Sequence, residues 1–71
     1  MAHYIITTRR NARGSVPTAR DAVAADSRIK LVNSDDPQMV TVEANEDAID
    51  ELRAKLKDTH FVEPEMRRGL T

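Results

Sequence analysis

Seventy-one residues make one domain and leave no room for a second. Eleven basic against twelve acidic residues give a net charge of −1, which supplies no bulk attraction to nucleic acid or to an anionic membrane. The chain has no Cys, which excludes disulfides and thiolate metal sites, so a small core must hold the fold without staples.

The first element is Tyr4 to Thr8, whose β-branched and aromatic residues read as a strand. A basic loop follows through Arg9, Arg10, Arg13 and Gly14. Ser15 is then the expected N-cap of a helix with Pro17 in its first turn, and Val16, Ala19 and Val23 recur at helical spacing with Ala22 beside them. Such small residues predict a helix lying close on a sheet. Asp26 and Ser27 end the pattern.

Arg28 to Val32 alternates, with Ile29 and Leu31 on one face and Arg28 and Lys30 on the other. The turn formers Asn33 to Pro37 predict a hairpin into Met39–Ala44, where Val40, Val42 and Ala44 share one side and Thr41 and Glu43 the other. Asn45 is a good N-cap, and Glu46 and Asp47 suit the positive end of a helix dipole. Ala48, Ile49, Leu52 and Leu56 make the apolar stripe of that helix, and Glu51 and Lys55 are spaced to pair at i,i+4. Thr59 to Glu63 reads as the last strand, stopped by Pro64, and the residues from Glu65 to Thr71 as an extended tail.

The predicted order is βαββαβ. Right-handed crossovers then place both helices on one face of a four-stranded antiparallel sheet, a ferredoxin-like α+β domain over residues 1–65 with a tail over 66–71. The other sheet face is bare, as in a domain that docks onto a partner.

Catalysis finds little support. Ser15, Ser27 and Ser34 lie in cap or turn contexts without a nearby His, and no Cys nucleophile exists, so the chain is not expected to be an enzyme or to hold a cofactor. His3 and His60 are far apart in sequence, with no carboxylate spacing that suggests a metal cage. The Arg9-Arg10-x-x-Arg13-Gly14-Ser15 stretch reads either as a phosphate grip or as a solvated basic loop. Stacking of single-stranded RNA on such a sheet needs aromatics on its central strands. Tyr4 and Phe61 are the only aromatics here, so no nucleic-acid partner is expected. No apolar run approaches the roughly 20 residues that span a bilayer, which argues against a membrane role. The opening Met-Ala-His-Tyr has no apolar stretch of the signal-peptide kind, which suggests the cytoplasm, or secretion if a leader has been removed.

The segment Phe61-Val62-Glu63-Pro64-Glu65 combines a strand, two carboxylates and a breaker. It reads as an acidic surface turn, or as a rigid strand end presenting Glu63 and Glu65 to the helix N-termini of a partner. Here the chain resembles the propeptide domain of subtilisin-type serine proteases, the I9 inhibitor family, which includes standalone inhibitors. Tyr4-Ile5-Ile6 is similar to the family's first strand, Asn45 to Leu52 to its second helix, and His60-Phe61-Val62-Glu63-Pro64-Glu65 to its closing Tyr-Val-Glu-Pro-Asp.

The resemblance implies a standalone inhibitor, or chaperone-type partner, of a subtilisin-like serine protease. In the family the sheet packs on two surface helices of the protease, and acidic residues matching Glu63 and Glu65 cap them. The segment Met66, Arg67, Arg68, Gly69, Leu70 and Thr71 would then lie in the substrate cleft, with Arg68 to Thr71 in the non-primed subsites and the terminal carboxylate at the catalytic Ser. Arg67-Arg68 departs from the small or apolar residues usual there, which implies a different protease preference or loss of inhibition. The alternative is a non-inhibitory interaction module, including a homodimer formed through its sheets.

Overall fold

A computed structural model describes residues 2–65 of the chain. In chain order it contains β1 (Ala2–Thr8), a single 3-10 turn (Arg10–Ala12), α1 (Ala19–Ala24), β2 (Lys30–Asp36), β3 (Met39–Ala44), α2 (Glu46–Leu56) and β4 (His60–Pro64). The strands form one antiparallel sheet in the order β2-β3-β1-β4. This is the ferredoxin-like α+β arrangement, with both crossovers passing over one face.

Alternation along the central strands decides which face that is. Tyr4, Ile6 and Thr8 of β1 and Val40, Val42 and Ala44 of β3 are buried, and Ala19 and Val23 of α1 and Ala48, Ile49 and Leu52 of α2 close over them. Ile29 joins this core, and Leu31, Leu56 and Val62 pack at its margin. Ala19, Ala44 and Ala48 are buried and have no bulk beyond Cβ, which lets helix and sheet approach closely.

Asn45 Oδ1 accepts the Ala48 N–H at 2.9 Å, which caps α2 as its sequence predicts. The first helix is shorter than its sequence pattern. It begins at Ala19 rather than after Ser15, because Thr18 takes the cap position and accepts the Asp21 N–H. Two buried polar contacts fix this start: Thr8 Oγ1 accepts the Ala19 N–H at 2.9 Å, and His60 Nε2 donates to the Pro17 carbonyl at 3.0 Å. The chain upstream is thereby held extended against β1 and β4, and Gly14, at φ +85, supplies the left-handed turn that leads into it.

The hairpin also differs from expectation. β2 runs on through Asp36, and only Pro37 and Gln38 form the turn. Asn33 and Asp35 lie in the strand, where the register shifts between Leu31 and Asn33 and again between Asn33 and Asp36. Asn33 Oδ1 accepts the Asp35 N–H, and Asp36 Oδ1 accepts the Gln38 N–H, so side chains replace ladder bonds that the irregularities remove. The last strand is displaced by one residue from its predicted span. Pro64 does not stop the pairing: it is the final strand residue, and the next N–H, that of Glu65, donates to the His3 carbonyl at 3.0 Å.

One ion network ties the loop after α1 to α2. Arg28 donates to both carboxylate oxygens of Asp26 and reaches Glu51 on α2 at 2.9 Å. Glu51 therefore pairs across the fold with Arg28, where the sequence spacing suggested Lys55. Hydrogen bonds from the Arg28 side chain and backbone N–H hold the Asp26 carboxyl at about 2, below its ordinary value of 3.8, and push the Arg28 guanidinium upward.

These contacts are open to direct test. Thr8→Val keeps the side-chain shape but strands a buried N–H, and should cost about 1–3 kcal/mol in urea unfolding, while Thr8→Ser recovers most of it. The contribution of Asp26 should be complete above pH 3.8 and fade as the pH falls through about 2, the direction expected of a carboxyl lowered in the folded state. The difference in melting temperature between the protein and Asp26→Asn should accordingly shrink across that window.

Candidate functional site

The residues that alternate away from the core lie on the second face of the sheet, and no element among the described residues covers it. Cross-strand register sets them in three rows. Lys30, Glu43 and His3 form the first, Asn33, Thr41, Ile5 and Glu63 the second, and Asp36, Met39, Thr7 and Phe61 the third. Met39 is 51% exposed and Phe61 45%, and with Val32 they are the large apolar side chains exposed among the described residues. The face thus carries its exposed apolar side chains, with Asp36 beside them, at the Met39–Phe61 end, and most of its charges, Lys30, Glu43, His3 and Glu63, toward the other end.

Arg9 braces the apolar end. Its guanidinium stands 4.1 Å over the Phe61 ring, Nη2 donates to the Lys57 carbonyl at 2.7 Å, and its backbone N–H donates to the Thr59 carbonyl. These commitments remove Arg9 from any phosphate grip, and Nε is buried besides. Arg10 and Arg13 remain exposed on the 3-10 turn and its C-cap, and α1, with six residues, begins beyond them. The solvated basic loop is therefore the reading the geometry favours.

Both edges of the sheet are poor templates for an added strand. On β4 the residues that alternate away from β1 are His60, Val62 and Pro64. Pro64 has no N–H, and the Val62 carbonyl is approached by Arg53 Nε at 3.4 Å. On β2 the register shifts interrupt the ladder. Neither edge therefore offers a regular, open ladder.

The two carboxylates of the candidate acidic pair have different surroundings. Glu63 is exposed on the outer face, in the row of Ile5 and Thr41, and makes no ion pair among the described residues. Glu65 does not point freely outward. Its Oε1 lies 3.3 Å from His3 Nδ1, and its side chain is only 30% exposed. Antiparallel pairing brings His3, remote in sequence, beside it. The remaining candidates, Met66, Arg67, Arg68, Gly69, Leu70 and Thr71, lie outside the described residues.

The two histidines have separate settings. His60 is buried between Thr59 Oγ1, 2.7 Å from Nδ1, and the Pro17 carbonyl, where it serves the fold. His3 lies between Glu65 and Glu43, the latter 3.8 Å from Nε2. The two carboxylates address opposite ring nitrogens and do not converge on a common point. The described residues hold no group of three metal-ligating side chains, and no pocket is found in them. No helix among them is long and apolar enough to cross a membrane.

Sequence patterning does not single out His3, Glu43, Met39 or the Arg9–Phe61 pair as site residues. The signal for them lies in the parity of β1, β3 and β4, but their convergence requires the strand order. Fold and face together define a ferredoxin-like domain with one uncovered, amphipathic sheet surface. Compared with protein-family models, curated proteins and solved structures, the chain gives no match.

Because Phe61 lies on the uncovered face, Phe61→Ala should cost well below the about 2–5 kcal/mol expected for Ile49→Ala in the core. A double-mutant cycle of Arg9→Ala with Phe61→Ala, read by urea unfolding, should give a coupling of about 0.5–1 kcal/mol.

Proposed function

We propose that this domain is an inhibitor, or chaperone-type partner, of a subtilisin-like serine protease, docking through the outer sheet face and delivering residues 66–71 to the substrate cleft. The observation that carries this reading is the uncovered face itself, with Met39 and Phe61 exposed at one end and Glu63, without an ion pair among the described residues, on the edge strand that leads into the C-terminal segment. The similarity of His60 to Glu65 to the closing motif of subtilisin propeptides lends it a partner class.

In this reading the apolar end supplies buried area and Glu63 accepts N–H groups at a helix N-terminus of the protease. Glu65, fastened to His3, orients the chain as it leaves β4. The segment 66–71 then binds as a strand in the cleft and inhibits competitively as a product does, with no covalent step. Arg67 and Arg68 direct it to a protease whose subsites accept basic side chains. A second copy of the domain is the other occupant that Met39 and Phe61 favour, and a concentration-dependent molecular mass with no protease inhibition would select it.

The test is an inhibition constant measured against a panel of subtilisin-like proteases. Glu63→Gln should weaken inhibition about two- to thirtyfold, the equivalent of about 0.3–2 kcal/mol for a carboxylate at a helix N-terminus. Its melting temperature should stay within about 1–2 °C of the parent, since the group is exposed. Deleting residues 66–71 should abolish inhibition with the fold retained. Full inhibition by the truncated chain, or none by the intact chain, rules the reading out.

A further inference from the structure

We propose that His3 is a proton-operated clasp for the chain leaving β4, fastening Glu65 to the sheet when its imidazole is charged and loosening it when the ring is neutral. His3 sits on a central strand between two carboxylates. Its carbonyl already accepts the Glu65 N–H at 3.0 Å, and its Nδ1 lies 3.3 Å from Glu65 Oε1. On the other side Nε2 lies 3.8 Å from Glu43 Oε2 on β3.

A neutral imidazole has one N–H and one lone pair, so it can turn the N–H toward only one of these carboxylates while its lone pair faces the other. An imidazolium turns an N–H toward each carboxylate and adds charge attraction to both, more at 3.3 Å to Glu65 than at 3.8 Å to Glu43. Protonation therefore changes a half-matched arrangement into a matched one.

The surroundings leave this change available. The side chains of His3, Glu43 and Glu65 are each about one-third exposed, at 37%, 34% and 30%, so water and protons reach the ring. The other charged groups on this face, among the described residues, are Lys30, opposite Glu43 on β2, Glu63 on β4, and Asp36 and the Arg9 guanidinium at the far, Met39–Phe61 end. Glu65, at 3.3 Å against 3.8 Å for Glu43, is the nearer carboxylate and the principal partner of the ring. Both helices lie on the opposite face and contribute no charge to the clasp. The device is a property of the free domain and does not rest on the docking proposal.

Amide hydrogen exchange of the full chain, followed by NMR at about pH 5.5 and pH 8, tests it, since an imidazole changes charge between about pH 5 and 8. The protection factor of the Glu65 N–H should be about two- to fivefold higher at the lower pH, the scale of an exposed ion pair. That of the Ile6 N–H, in the core, should not follow the same change. His3→Gln and Glu65→Gln should each flatten the Glu65 response, and Glu43→Gln should reduce it without removing it. An unchanged response in both His3→Gln and Glu65→Gln overturns the clasp, as does a flat response in the parent. Should His3→Gln fail to fold, Glu65→Gln, beyond the end of the edge strand, decides the matter alone.

Discussion

Because β1 lies between β3 and β4, its pairing with both neighbours sets the character of the whole sheet. Side chains alternate along a strand, so the register that sends Tyr4, Ile6 and Thr8 inward also sends His3, Ile5 and Thr7 outward. A slip of one residue would exchange the two sets, burying His3 and exposing Ile6. The helices depend on this register, since Ile6 lies in the core that Val23 and Ile49 close over. The outer face depends on it equally.

A polar seam at one end of that core supports the arrangement. Thr8, at the end of β1, accepts the first N–H of α1, and His60, at the start of β4, holds the Pro17 carbonyl just upstream. Both groups are buried, where an unmade hydrogen bond costs more than a made one contributes. The seam therefore specifies where α1 begins more strongly than helix propensity does. With no disulfide available, such buried contacts tie distant segments together, and the exposed Asp26–Arg28–Glu51 network adds a surface tie between the loop after α1 and α2.

The outer face joins two properties that suit recognition. Its apolar end is pre-ordered, because Arg9 holds the Phe61 ring and is itself anchored to the backbone at Lys57 and Thr59. A side chain already fixed loses less freedom on docking. At its acidic end Glu65 is engaged by His3, while Glu63 makes no ion pair among the described residues. The two carboxylates, close neighbours in sequence, thus differ in their availability. Both strand edges are blunted, by register shifts on β2 and by Pro64 and Arg53 at β4.

Elements whose signals are local were legible along the chain. The alternation of Met39 to Ala44, the Asn45 cap and the apolar stripe of α2 are satisfied within a few residues, and each appears where the pattern places it. The order of elements was enough for the ferredoxin-like topology and its bare face. Contacts between distant segments decided the rest. The start of α1 moved from Ser15 to Thr18 because Thr8 and His60 reach it from other strands. The Asn33–Asp36 cluster became part of a strand because β3 offered it a ladder and its own side chains filled the gaps. Glu51 chose Arg28 over Lys55, and Glu65 found His3, because folding brings together charges that sequence spacing cannot relate. Local periodicity specifies which face a residue takes. Only the packed sheet specifies what it meets there, since cross-strand neighbours are set by register and strand order rather than by distance along the chain.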